Sequence, residues 1–146
     1  MNDSSITVMQ VAAAFVWLGM VIAISLLEAP LKFRAPGITL ALGLGIGELV
    51  FRVLNRVEFA LAATVLAALF LSPRGLAAAV LVAGLWAILL VQVIGLRPRL
   101  NARTRRIIAG AALPPSRTHL VYIVLEGVKV LALAALGALL VLEGHR

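Results

Sequence analysis

The chain has no cysteine. Disulfides, thiolate metal sites, iron–sulfur clusters and cysteine nucleophiles are therefore excluded. Charge is scarce as well: 13% of the residues are charged, where a soluble domain carries about a quarter. Aromatics make up 5%, with two histidines and six acids. Base-stacking surfaces and histidine-rich metal clusters have little to draw on. Alternating polar–apolar runs are also missing, and a membrane barrel requires them.

What is present is apolar. Hydrophobic residues make up 63% of the 146, with a mean hydropathy of +1.12. A water-soluble fold of this length cannot hide so much apolar surface, because small domains keep a large share of their surface exposed. Lipid is the solvent that fits. A helical span takes about 20 mainly apolar residues, and four such spans with short connections use nearly the whole chain. The fold class is therefore all-α, an integral membrane four-helix bundle in one domain. The helices are expected at about 6–28, 47–71, 75–96 and 118–142, with loops 29–46 and 97–117.

The first span carries no charge before Glu28. No Lys or Arg precedes it, and its apolar run is longer than the core of a secretory signal, so a retained helix is expected. Pro36-Gly37 and Ser72-Pro73-Arg74-Gly75 read as turns, and Pro114-Pro115 closes the third connection. Ser116 or Thr118 is placed to cap the fourth helix. The segment Ile38–Gly47 stays open: interfacial, re-entrant, or an extension of helix two. Its Gly43 and Gly47 form a small-xxx-small pair that permits close helix contact. The neighbouring Gly45 makes only a superficial likeness to a dinucleotide loop, since no strand precedes it. Trp17 and Trp86 fall near mid-span and are expected inside the bundle, with Gly19 and Gly84 making room.

Basic residues set the orientation. Lys32 and Arg34, with Arg97, Arg99, Arg103, Arg105, Arg106 and Arg117, put eight in the loops after helices one and three; Arg74 and Arg146 are the two at the other face. Positive charge is retained in the cytoplasm, so both termini are expected outside, in a cell membrane. Arg97, Arg99, Arg103, Arg105 and Arg106 are candidates for contact with anionic lipid headgroups. The run lacks the aromatics that stack on bases, so nucleic acid is not an expected partner.

Ionisable residues inside a span are costly and usually face the bundle or a wet cavity. Glu48, Arg52 and Arg56 share one stripe of helix two; His119, Tyr122, Glu126 and Lys129 share one of helix four. Glu28 ends helix one at the same level. Together Glu28, Glu48, Arg52, His119, Tyr122, Glu126 and Lys129 outline a candidate polar pocket in the cytoplasmic half of the bundle, where Arg52 could hold an anion. Alternatively these charges only neutralise one another, Glu48 with Arg52 and Glu126 with Lys129 or Arg52, while Arg56 and Lys129 snorkel to the headgroups. His119 and His145 lie at opposite ends and cannot share a haem or a metal. No Ser–His–Asp arrangement or metal-ligand spacing is present, so neither an enzyme nor a cofactor is expected.

Trp17-x-Gly19, Ala29-Pro30 with Phe33, Arg97-Pro98 after helix three and His119 opening helix four resemble small four-pass membrane proteins of the transmembrane protein 205-like group. The resemblance implies a four-helix bundle and supplies no mechanism. Two functions fit: binding or transport of a small solute or ion through the pocket, with a homo-oligomer as the working form, or an accessory role in which the arginine loop holds a partner or anionic lipid.

Overall fold

The computed structural model describes residues 3–144. Four helices are long and apolar enough to cross a membrane: α1 (Asp3–Arg34), α2 (Leu40–Leu71), α3 (Leu76–Ile108) and α4 (Arg117–Gly144). Large apolar side chains such as Val8, Phe70, Leu76, Ile94, Leu131 and Leu142 point away from the bundle. In water that surface would drive aggregation; in a bilayer it is the lipid face. The chain is a multi-pass membrane protein with an all-α, four-helix bundle fold.

The helices form a ring in chain order. α1 packs against α2 and α4, and α3 closes the ring against the same two, so α1 and α3 stand on one diagonal and α2 and α4 on the other. Ala14, Trp17, Val21, Ala62, Val65, Val82, Leu89, Leu133 and Leu136 fill the centre at 3% exposure or less.

Besides α1, which runs past its expected end at Glu28 to Arg34, two boundaries differ from the sequence expectation. α2 begins at Leu40, capped by Thr39 Oγ1, which accepts the Leu42 N–H at 3.2 Å. Ile38–Gly47 is thus neither a loop nor re-entrant; from Leu40 it is the start of helix two. Gly43 and Gly47 face the end of α1, where a Cβ on Gly43 would collide with the Phe33 ring and one on Gly47 would lie 3.1 Å from Lys32 Nζ. The small-residue pair does bring two helices together. The second correction concerns the arginine run, which is helical from Arg97 to Ile108 and continues α3. It stops where Gly110 takes φ +92° and the Ala111 N–H reaches back to the Arg106 carbonyl at 3.0 Å, a glycine-terminated helix end.

α1 and α3 share a second feature. Each widens into a π-helical stretch, Ile22–Glu28 and Val91–Leu96, just ahead of Pro30 and Pro98. A proline inside a helix has no N–H to donate and its ring crowds the carbonyl four residues back. The wider turn relieves that crowding: the Ala29 N–H bonds to the Ile24 carbonyl and the Arg97 N–H to the Gln92 carbonyl. Both helices therefore continue through their prolines to the basic end. At 1.5 Å per residue the four helices run about 42–50 Å, well beyond a hydrocarbon core of about 30 Å. Most of the bundle's arginines sit at the end reached by α1 and α3 beyond their prolines.

Trp17 is buried as expected, whereas Trp86 is half-buried, tilted on Phe59 at 5.9 Å between ring centroids. Neither tryptophan is accommodated by the nearby glycine: Gly19 and Gly84 face outward, and a Cβ on either would meet nothing within 4 Å.

Candidate functional site

Mid-bundle, each of the four helices contributes to one polar network. Lys129 on α4 is fully buried and donates to Glu58 Oε1 at 2.6 Å and to Glu126 Oε1 at 2.9 Å. Trp17 Nε1 of α1 donates to Glu58 Oε1 at 2.9 Å, and Gln92 Nε2 of α3 donates to Glu126 Oε1 at 2.8 Å. Glu58 lies about 27 Å along α2 from Leu40 and about 20 Å from Leu71, at 1.5 Å per residue. The network thus lies in the middle of the span, at the inner limit of the pocket expected in the cytoplasmic half.

The same depth explains why these groups must be paired. A lone charge among lipid and apolar side chains is expensive, and burying an ion pair is tolerated only with good geometry and further hydrogen bonds. Here Lys129 has two carboxylate partners, and each carboxylate has one neutral donor. Two oxygens, Glu58 Oε2 and Glu126 Oε2, have no protein partner, and neither does Gln92 Oε1.

Above the network, towards the basic end, a cavity of ≈ 660 Å³ opens between the ends of α1 and α3 and the starts of α2 and α4. Glu126 lines its floor. Tyr122, one turn nearer the mouth, is buried and accepts a hydrogen bond from Arg97 Nη2 at 2.8 Å. The Arg97 guanidinium is held between two aromatic faces, 3.9 Å from the Phe51 centroid and 4.5 Å from that of Tyr122, a stacking that a planar, delocalised cation favours. Lys32 enters from α1, tied to Glu28 at 3.3 Å. Arg103 donates to the Pro114 carbonyl and, with His119, flanks the mouth. Ser116 caps α4 by accepting the His119 N–H at 3.3 Å. Most of the wall is apolar, from Leu26, Leu40, Leu44, Leu100, Leu113 and Ile123.

Towards the other face the bundle is sealed. Ala13, Ala14, Ala62, Val65, Leu133 and Leu136 form an apolar layer next to the network. Beyond it Gln10, 1% exposed, bonds to the Ser72 carbonyl and accepts from Arg74 Nε at 3.0 Å, while Arg74 also reaches Thr7. The cavity therefore does not continue to that face.

The candidate residues divide accordingly. Glu48, His119, Tyr122 and Glu126 line the cavity, and Lys129 lies directly behind Glu126. Glu28 stands behind Lys32. Arg52 does not join this group: half-exposed and bonded to Glu48 at 3.1 Å, it lines a separate groove of ≈ 460 Å³ between α2 and α3, with Arg56, Asn55, Arg97 and Arg105. The pairing of Glu126 with Lys129 holds, that of Glu126 with Arg52 does not, and Lys129 does not snorkel. Among the basic residues, Arg99, Arg105 and Arg106 are exposed, whereas Arg97 is drawn inward. His145 lies outside the described residues.

Trp17, Glu58 and Gln92 are the network members absent from the sequence-derived set; from the sequence, Trp17 is expected only as a packed side chain. Glu58 sits off the Glu48–Arg52–Arg56 stripe, because ten residues is not a whole number of turns. Its signal in the sequence is depth: it and Lys129 are opposite charges deep in two different spans. Compared with known proteins, the chain matches no family model, no curated protein and no solved structure.

Proposed function

We propose that this membrane protein binds a small solute in the cavity at its basic end and works as a binding or transport protein, without catalysis. The observation that carries this reading is the continuity of the cavity with the four-helix ion network through Glu126. A purely structural ion pair gains nothing from a wet approach, whereas an ionisable group inside a membrane that borders a cavity is the usual mark of a solute or ion path. The apolar wall with a few convergent polar groups is also the composition of a small-molecule site. In this proposal both termini are outside and the cavity opens to the cytoplasm, following the eight-to-two bias in basic residues. The membrane protein 205-like resemblance is kept as a proposal of kinship in layout, independent of mechanism.

Native mass spectrometry tests it. One stoichiometric small molecule on the wild type, absent from Glu126→Gln/Lys129→Met, supports the site; heterogeneous lipid on both contradicts it.

A second reading has its own observation. The groove between α2 and α3 gathers Arg52, Arg56 and Arg105 around Glu48 and Asn55, at the level expected for headgroups. An accessory protein that holds anionic lipid there would lose lipid on charge reversal of Arg52 and Arg105, with the cavity unaffected.

A further inference from the structure

The network contains two carboxylates and one ammonium, and no other cation pairs with either acid among the described residues. The groups facing it are few. α1 contributes the neutral Trp17 and α3 the neutral Gln92; α2 contributes Glu58; α4 contributes Glu126, Lys129 and, one turn nearer the mouth, Tyr122. Arg97, on the cavity wall, ends on the Tyr122 hydroxyl. With both acids ionised the network would carry a net charge of −1 at mid-membrane. An uncompensated charge buried among membrane helices is costly, and a proton on one carboxyl oxygen would cancel it. Each acid has one oxygen committed to Lys129 and one oxygen free to carry hydrogen, Glu58 Oε2 and Glu126 Oε2.

From this geometry we infer that the network is a proton-binding site: one exchangeable proton is held on a carboxyl oxygen of the Glu58–Lys129–Glu126 group and reaches it through the cavity, by way of Glu126. The proton adds to one carboxylate to give a carboxylic acid, the ammonium remains, and the group becomes neutral. Its release restores the −1 charge, so a bound solute next to Glu126 and the proton influence each other by linkage. This deepens the solute-binding reading and rests on it only for the route of access.

Infrared spectroscopy of the purified protein in micelles tests it through the C=O stretch of a protonated carboxyl. The wild type at neutral pH is expected to show one such band, and the band to shift when the solvent is changed to D2O. Glu58→Gln and Glu126→Gln each leave one carboxylate facing one ammonium, so each is expected to lose the band. Lys129→Met leaves two carboxylates with no cation and is expected to double it. Absence of the band in the wild type overturns the proposal without recourse to any variant, even where a variant does not fold. So does a band that persists undiminished in both glutamine variants, or one that fails to respond to D2O. A band that appears only when sodium is withdrawn overturns it in favour of a cation site. A ligand-free wild type that still shows the exchangeable band contradicts the solute reading and leaves the proton site standing.

Discussion

Lys129 on α4 lies 2.6 Å from Glu58 on the diagonal helix α2, closer than its 2.9 Å approach to Glu126 on its own helix. The contact crosses the centre of the ring, between two helices whose backbones are not neighbours. A long flexible stem makes this reach possible, and its full burial fixes the register of α2 against α4. Trp17 and Gln92 then attach α1 and α3 to the same point.

Lys129→Met is the most damaging single change predicted. Removing one partner of a buried charge group typically costs about 3–5 kcal/mol, read here as a lower unfolding temperature in micelles. The triple variant Glu58→Gln/Glu126→Gln/Lys129→Met should recover most of the loss.

The outer pair should behave differently. Arg52 is half-exposed and bonded to Glu48 within one helix, an arrangement worth about 0–1 kcal/mol. Arg52→Ala is expected to leave the unfolding temperature within error of the wild type. A loss as large as that of Lys129→Met would show that α2 is oriented differently.

Trp17→Phe removes the indole N–H that Glu58 accepts at 2.9 Å and keeps most of the ring volume. A hydrogen bond to a charged group is worth about 1.5–3 kcal/mol, so a loss in that range is expected from thermal unfolding. Trp86→Phe should cost less, because Trp86 Nε1 has no partner and the ring is only half-buried.

The glycines divide in the same way. Gly19 and Gly84 have open space around a Cβ, so Gly→Ala there should be neutral or stabilising by up to about 1 kcal/mol, the ordinary gain in a helix. Gly43→Val places atoms where the Phe33 ring lies. It is expected to displace Phe33, part of the cavity wall, and to lower stability by about 1–3 kcal/mol, the usual cost of overpacking. Unfolding temperatures of the three variants side by side check the contrast.

The spans were legible because lipid imposes a length and a composition on every helix that crosses it. Their ends were not. The start of α2 is rich in glycine and its first turns project past the length a bilayer needs, so neither hydropathy nor propensity marks Leu40 as a boundary. The arginine run read as a loop because it is charged and opens with Pro98; the π turn ahead of that proline, invisible in the sequence, carries the helix onward. The site was half legible. Tyr122, Glu126 and Lys129 share a face of one helix, which spacing reveals. That Lys129 meets Glu58 and not Arg52 depends on how α2 is rotated, which spacing within α2 does not determine. Arg97 looked like its neighbours in the run, and only the placement of Phe51 and Tyr122 on two other helices draws it inward.

The central claim, a cavity open at the basic end and sealed at the other, is tested most directly by thiol labelling from each side of the membrane. The absence of native cysteine makes single substitutions clean. Ser25 lines the cavity and its Oγ has no partner, Ser72 lies in the turn between α2 and α3, and Val65 lies in the apolar layer. With a membrane-impermeant maleimide, Ser25→Cys should label from one side only, Ser72→Cys from the opposite side only, and Val65→Cys from neither. Labelling of Ser25→Cys from both sides or from the same side as Ser72→Cys, or of Val65→Cys from either, would contradict the account.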